Sequence, residues 1–133
     1  MKINNKNINE LKEINIHDFN IINLDYNLLL EKISMNIASN TYEKKDIELI
    51  FNNISFFSVQ NAYFWEDNNR IDISDIWYSN DKREFKNLVE KFDSQNKNYI
   101  SSKLKDNFLE ICIQLLNGGE IIIVCEEIII NEI

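Results

Sequence analysis

The chain has two glycines and no proline in 133 residues, and the two glycines are adjacent. Gly118–Gly119, preceded by Asn117, separates two β-prone runs, Phe108–Leu116 and Glu120–Ile130. Positive φ is easily reached by glycine and tolerated by asparagine, so this point between apolar arms predicts a β-hairpin over 108–130. Two registers are open. A Gly118–Gly119 loop sets Cys112 opposite Cys125, with Leu115–Ile122, Ile113–Val124 and Leu109–Ile128 as partners. An Asn117–Gly118 loop, the stronger turn dipeptide, sets Cys112 opposite Ile123. The better apolar partners favour the first.

Period-two alternation extends the β pattern upstream. Ile33, Met35 and Ile37 alternate with polar neighbours over 28–38, and Ile47, Leu49 and Phe51 then alternate with Glu48 and Asn52. Ile14–Leu24 reads as a strand with an irregularity at His17–Asp18, followed by a turn at Asp25–Tyr26–Asn27. Asn52–Asn53 is a second turn, and Ile54–Trp65 and Arg70–Tyr78 are β-prone and aromatic. Residues 1–13 are polar, a frayed start or a short helix. Phe85, Leu88, Val89 and Phe92 fall at helical spacing, which predicts one amphipathic helix over 82–93, capped by Asp81 with Glu84 three residues on. The fold class expected is therefore β-dominated α+β. A mainly antiparallel sheet, as a sandwich or a partly open barrel, forms a single domain over 1–133.

Codons rich in A and T favour isoleucine, asparagine and lysine over glycine and proline. The many asparagines thus carry base composition and are not read as a polar zipper. The net charge is −8 and is unevenly spread. Six lysines against eight acids leave 1–61 at −2, and one arginine against five acids leaves 62–81 at −4. Seven bases against five acids give +2 over 82–119, and four glutamates give −4 over 120–133. Phosphate binding needs the opposite sign, so direct nucleic-acid binding is not expected and a basic protein partner is. The longest apolar run, Ile121–Cys125, is far too short to span a bilayer, and Met1–Glu10 has no signal-peptide pattern. No membrane association and a cytoplasmic location are expected, with both cysteines as free thiols.

The chemistry available is narrow. One histidine and two cysteines cannot build a multi-histidine or four-thiolate metal centre, and no phosphate-cradling glycine loop exists, so no metal or cofactor is expected. His17–Asp18 is either a base oriented by a carboxylate or a pair that hydrogen-bonds backbone at the strand irregularity. Cys112 and Cys125 are either a redox pair or small buried side chains. The 22 acids show no spacing that suggests paired-carboxylate hydrolysis. Asp67–Asp75 faintly follows a calcium loop, but the sixth-position glycine and the twelfth-position glutamate, where Tyr78 stands, are missing. The strongest interaction candidate is 61–78, which holds both tryptophans and a cluster of acids. Tyr63, Trp65, Glu66, Asp67, Asp72, Asp75 and Trp77 are the proposed partner-binding residues, since aromatics anchor interfaces and acids steer basic partners. Core packing is the plainer role for the tryptophans. Glu126–Glu127 either extends the acidic field or protects an edge strand.

The order of these elements resembles a known group. His17–Asp18 at the first strand, a second alternating strand, Ile-Glu-Leu-Ile-Phe-Asn-Asn-Ile at 47–54, the Val-Gln-Asn and Phe-Trp segment at 59–65 and the closing glycine-turn hairpin are similar to small β-rich bacterial immunity proteins encoded beside polymorphic toxins. The resemblance covers most of 14–130. It implies a stoichiometric, non-catalytic inhibitor of one cognate toxin, with His17–Asp18 structural. The same charge pattern suits a phage-encoded mimic of nucleic acid that blocks a defence enzyme. A third possibility is a small enzyme using His17 with a cysteine.

Overall fold

The computed structural model describes residues 1–39, 45–60, 71–94 and 107–133, without the side chains of 92–94. In chain order its elements are β1 (Lys2–Ile3), a 3-10 helix (Ile8–Glu13), β2 (Asn20–Asn27), β3 (Lys32–Ala38), β4 (Asp46–Asn52), β5 (Phe56–Gln60), β6 (Ile73–Tyr78), α1 (Arg83–Ser94), β7 (Leu109–Leu115), β8 (Glu120–Cys125) and β9 (Glu127–Glu132). The strands form two antiparallel sheets, ordered β1-β9-β4-β3-β2 and β5-β8-β7-β6. This is the expected β-dominated α+β class. Among the described residues no helix is long and apolar enough to cross a membrane.

Alternation decides which face each strand buries. In β3 and β4 the pairs Ile37–Ile47, Met35–Leu49 and Ile33–Phe51 point inward, and β9 adds Ile130 opposite Leu49 and Ile128 opposite Phe51. From the other sheet come Leu109, Ile111, Ile113 and Leu115 of β7 and Ile121, Ile123 and Cys125 of β8. All of these except Ile130, which packs against them, belong to one buried cluster spanning both sheets. Each such side chain contributes about 1.5–3 kcal/mol relative to exposure. The N-terminus is not frayed: β1 pairs with β9, and Ile3 and Leu11 are buried in the same cluster.

The two sheets are joined at a shared corner. β4–β5 and β8–β9 each pass from one sheet to the other, through Asn53–Ser55 and through Glu126. Asn53 takes the left-handed conformation (φ 56°), as its place in the expected Asn52–Asn53 turn requires. Its side-chain amide donates to Glu126 at 2.7 Å, Glu126 N–H donates to the Asn52 carbonyl at 3.1 Å and Ser55 N–H to the Val124 carbonyl at 2.9 Å. The side-chain phase slips at this corner. Odd residues face the core in β8 and even residues in β9, so the run expected as one hairpin arm to Ile130 is two strands in two sheets. The hairpin itself is β7–β8.

Its register is neither of the two expected. Cys112 faces Ile122 and Cys125 faces Leu109, which puts the two thiols on opposite faces of the sheet, both free. Gly118 N–H donates to the Leu115 carbonyl (3.1 Å), Leu115 N–H donates to the Gly119 carbonyl (2.9 Å), and only Gly118 has positive φ (91°). That is a three-residue loop, Leu116–Gly118, with the left-handed glycine last. Asn117 does not pair with Glu120; its Oδ1 accepts Gly119 N–H at 2.8 Å and tightens the loop.

Two other expectations are corrected. Asp25, Tyr26 and Asn27 do not turn but pair with Ser34, Ile33 and Lys32, and the reversal falls at Leu28–Glu31, ending in a left-handed Glu31. The strand expected from Ile14 begins at Asn20, because Asp18 (φ 66°) turns the chain first. The helix lies where its periodicity puts it, with Phe85 and Val89 against Phe56, Phe108 and Val124. Its free N-terminal amide at Phe85 is capped by the buried Glu110 carboxylate of β7 at 2.9 Å, while Asp81 accepts the Ser79 hydroxyl.

Candidate functional site: the outer face of the four-stranded sheet

β6 carries a bulge that decides what it presents. Ile73 and Ile76 both face the core although they are three apart, which needs one extra residue between them, and the register against β7 slips at that point. Beyond the slip, Asp75 and Trp77 point away from the core. The bulge carbonyl of Ser74 accepts the Nδ1–H of His17 at 2.6 Å, and Asp18 N–H bonds the Ile73 carbonyl at 2.8 Å. The other ring nitrogen of His17 is 3.4 Å from Asp18 Oδ2. His17–Asp18 therefore holds the bulge that aims Asp75 and Trp77.

The registers align the outward residues in rows across the sheet. One row is Trp77–Cys112–Ile122–Ser58 and the next is Asp75–Gln114–Glu120–Gln60. A third, Glu110–Val124–Phe56, lies under α1. Trp77 is 38% exposed, and Asp75, Gln114 and Gln60 are exposed. Asp75 accepts the amide of Ile76 at 2.8 Å, which orients its carboxylate. Outward positions on these four strands carry three carboxylates and no lysine or arginine.

Of the seven expected binding residues, Asp75 and Trp77 share this face. Asp72 does not: it stands at the junction of the sheets, bridged to Asn20, with its carbonyl accepting Leu116 N–H at 2.9 Å. Tyr63, Trp65, Glu66 and Asp67 lie outside the described residues. Gln114 and Glu120 were missed because their facing depends on the hairpin register, although the charge count had marked 120–133 as acidic. Glu126 and Glu127 neither extend this field nor guard an edge. Glu126 binds Asn53 at the corner, and β9 lies inside its sheet between β1 and β4. Glu127 is 2.9 Å from Lys2 Nζ and accepts the Asn52 amide at 2.9 Å, and these contacts hold its carboxyl below the usual range.

The thiols are poor nucleophiles. Burial pushes Cys125 up to about 12, and burial with the nearby Glu120 and Glu110 carboxylates pushes Cys112 up to about 11. The Cys112 thiol donates to Glu120 Oε2 at 3.7 Å, and the negative charge of that carboxylate disfavours the thiolate. Among the described residues no group of three or more histidine, cysteine or acidic side chains could hold a metal ion. In comparisons with protein-family models, curated proteins and solved structures, nothing matches this chain.

Proposed function

We propose that this protein is a non-catalytic inhibitor of the immunity-protein kind, which neutralises a basic toxin by occluding it with the outer face of the four-stranded sheet. The observation that carries the reading is the pairing on that face of an exposed tryptophan with carboxylates that no cation on the same strands offsets. An amphipathic aromatic anchor beside fixed negative charge suits a positively charged protein surface, where it supplies both contact area and steering. The enzyme alternative loses support because His17 is committed to the Ser74 carbonyl and both thiols are held protonated at neutral pH.

The test is recovery of the partner from the native host with a tagged chain, followed by titration of the purified pair. The reading expects a 1:1 complex with a protein of net positive charge, whose toxicity the chain suppresses on co-expression. Trp77→Ala with Asp75→Asn should abolish that protection. An acidic or neutral partner, or full protection by the double variant, would overturn it.

A further inference from the structure

The β2–β3 turn exposes three consecutive leucines. Leu28, Leu29 and Leu30 are 71%, 95% and 66% exposed, and Tyr26 beside them is 40% exposed. Single exposed leucines are ordinary, but a run of three on one turn is a contiguous apolar patch of the kind that marks a contact site.

The turn is held in this shape. Leu30 N–H donates to Asn27 Oδ1 at 3.0 Å, Glu31 N–H to the Leu28 carbonyl at 3.3 Å, and Ile54 N–H to the Glu31 carbonyl at 2.9 Å. Glu31 sits in the left-handed region (φ 50°) without being glycine. These bonds tie the turn to the corner between the sheets, so the leucines do not fold back onto the core; they are presented already ordered.

The surroundings are acidic. Asp25 and Glu31 flank the turn, and the Asn53 that precedes Ile54 holds Glu126; Lys32 is the cation beside them in the chain. A second copy would bring an equal acidic rim against this one, and an anionic lipid surface would repel it. We infer that the Leu28–Leu30 turn is an apolar anchor for a protein whose hydrophobic pocket is ringed by basic side chains. This inference does not depend on the reading of the Asp75–Trp77 face, which lies on the other sheet.

The experiment places a benzophenone photo-crosslinking residue at position 29 of the full chain in host cells, with position 131 on β9 as control. A protein crosslinked only from position 29 is purified and titrated against wild type, Leu29→Ser and the pair Glu31→Gln, Glu126→Gln. We expect Leu29→Ser to weaken binding by about tenfold or more, and the acid pair to flatten its salt dependence. Equal affinity for all three chains overturns the proposal, as does the absence of a crosslink specific to position 29. Leucine-dependent dimerisation of the purified chain in sedimentation would instead assign the patch to a second copy. Leucine-dependent flotation with phosphatidylcholine–phosphatidylserine vesicles would assign it to lipid. A lowered melting temperature in Leu29→Ser would make the turn structural and also overturn the proposal.

Discussion

The outer faces of the two sheets start from the same strand chemistry and end differently. The five-stranded sheet turns outward Lys2, Lys32, Asp25, Asp46, Glu48 and Glu127 among asparagines and the half-buried pair Ile50–Ile129, with both signs present, a direct Lys2–Glu127 ion pair and no aromatic residue. The four-stranded sheet turns outward Asp75, Glu110 and Glu120 with Trp77 and no cation. A face that mixes both signs, pairs one of its acids directly and shows mostly amides is a solvated face. One whose strands carry a single sign and show an indole offers the field and the anchor that the proposed contact needs.

One core lies beneath both faces. Phe51 from the five-stranded sheet and Ile123 from the other are both fully buried in the same cluster. Phe51→Ala should cost about 3–5 kcal/mol and Ile123→Ala about 2–5 kcal/mol, each shifting one common urea transition. Two separate transitions, each moved by only one variant, would break the comparison into two independent sheets. Glu110 comes next, because it is the buried carboxylate of its face and holds the first turn of α1. Glu110→Ala leaves the buried Phe85 amide without its acceptor and should cost about 1–3 kcal/mol, with a loss of helical signal in circular dichroism. Unchanged helicity would return Glu110 to the free acidic field.

The smallest effect belongs to the face of mixed sign. Glu127 has a folded pKa below its ordinary value of 4.5, so its contribution is present above that value and is lost as pH falls through the lowered one. Lys2 is 60% exposed, so solvent screens the pair, and Glu127→Gln should cost about 0.2–1 kcal/mol at pH 7. The cost should vanish in strong acid. A cost that persists there would show that Glu127 acts by packing and not by charge.

Much of the five-stranded sheet was legible from alternation, since a polar residue separates Ile33, Met35 and Ile37 in β3 and Glu48 separates Ile47 from Leu49 in β4. The helix was legible for the same reason at another period. In Ile121–Ile130 the signal fails because isoleucine fills both faces, so the one-residue phase slip at Glu126 leaves no mark in the pattern. The hairpin register escaped because the loop has three residues, Leu116–Gly118, closed by backbone bonds of Leu115, where both readings of the sequence placed a two-residue turn. At the candidate site Asp75 and Trp77 were legible as residue types. Their facing was not, because it depends on a bulge held by a histidine 57 residues away along the chain. The leucine turn was hidden by its own hydrophobicity, which reads as strand until hydrogen bonds are seen to hold it outward.

The proposed toxin contact belongs to the outer face of the four-stranded sheet and not to that of the five-stranded sheet. The direct measurement is the affinity of the co-purifying partner, across a range of salt, for two charge-matched double variants. One is Asp75→Asn with Glu120→Gln on the four-stranded sheet, and the other is Asp46→Asn with Glu48→Gln on the five-stranded sheet. The first is expected to weaken binding by about tenfold or more and to flatten its salt dependence, while the second leaves both unchanged. Equal effects from the two variants, or the larger effect from the second, would contradict it.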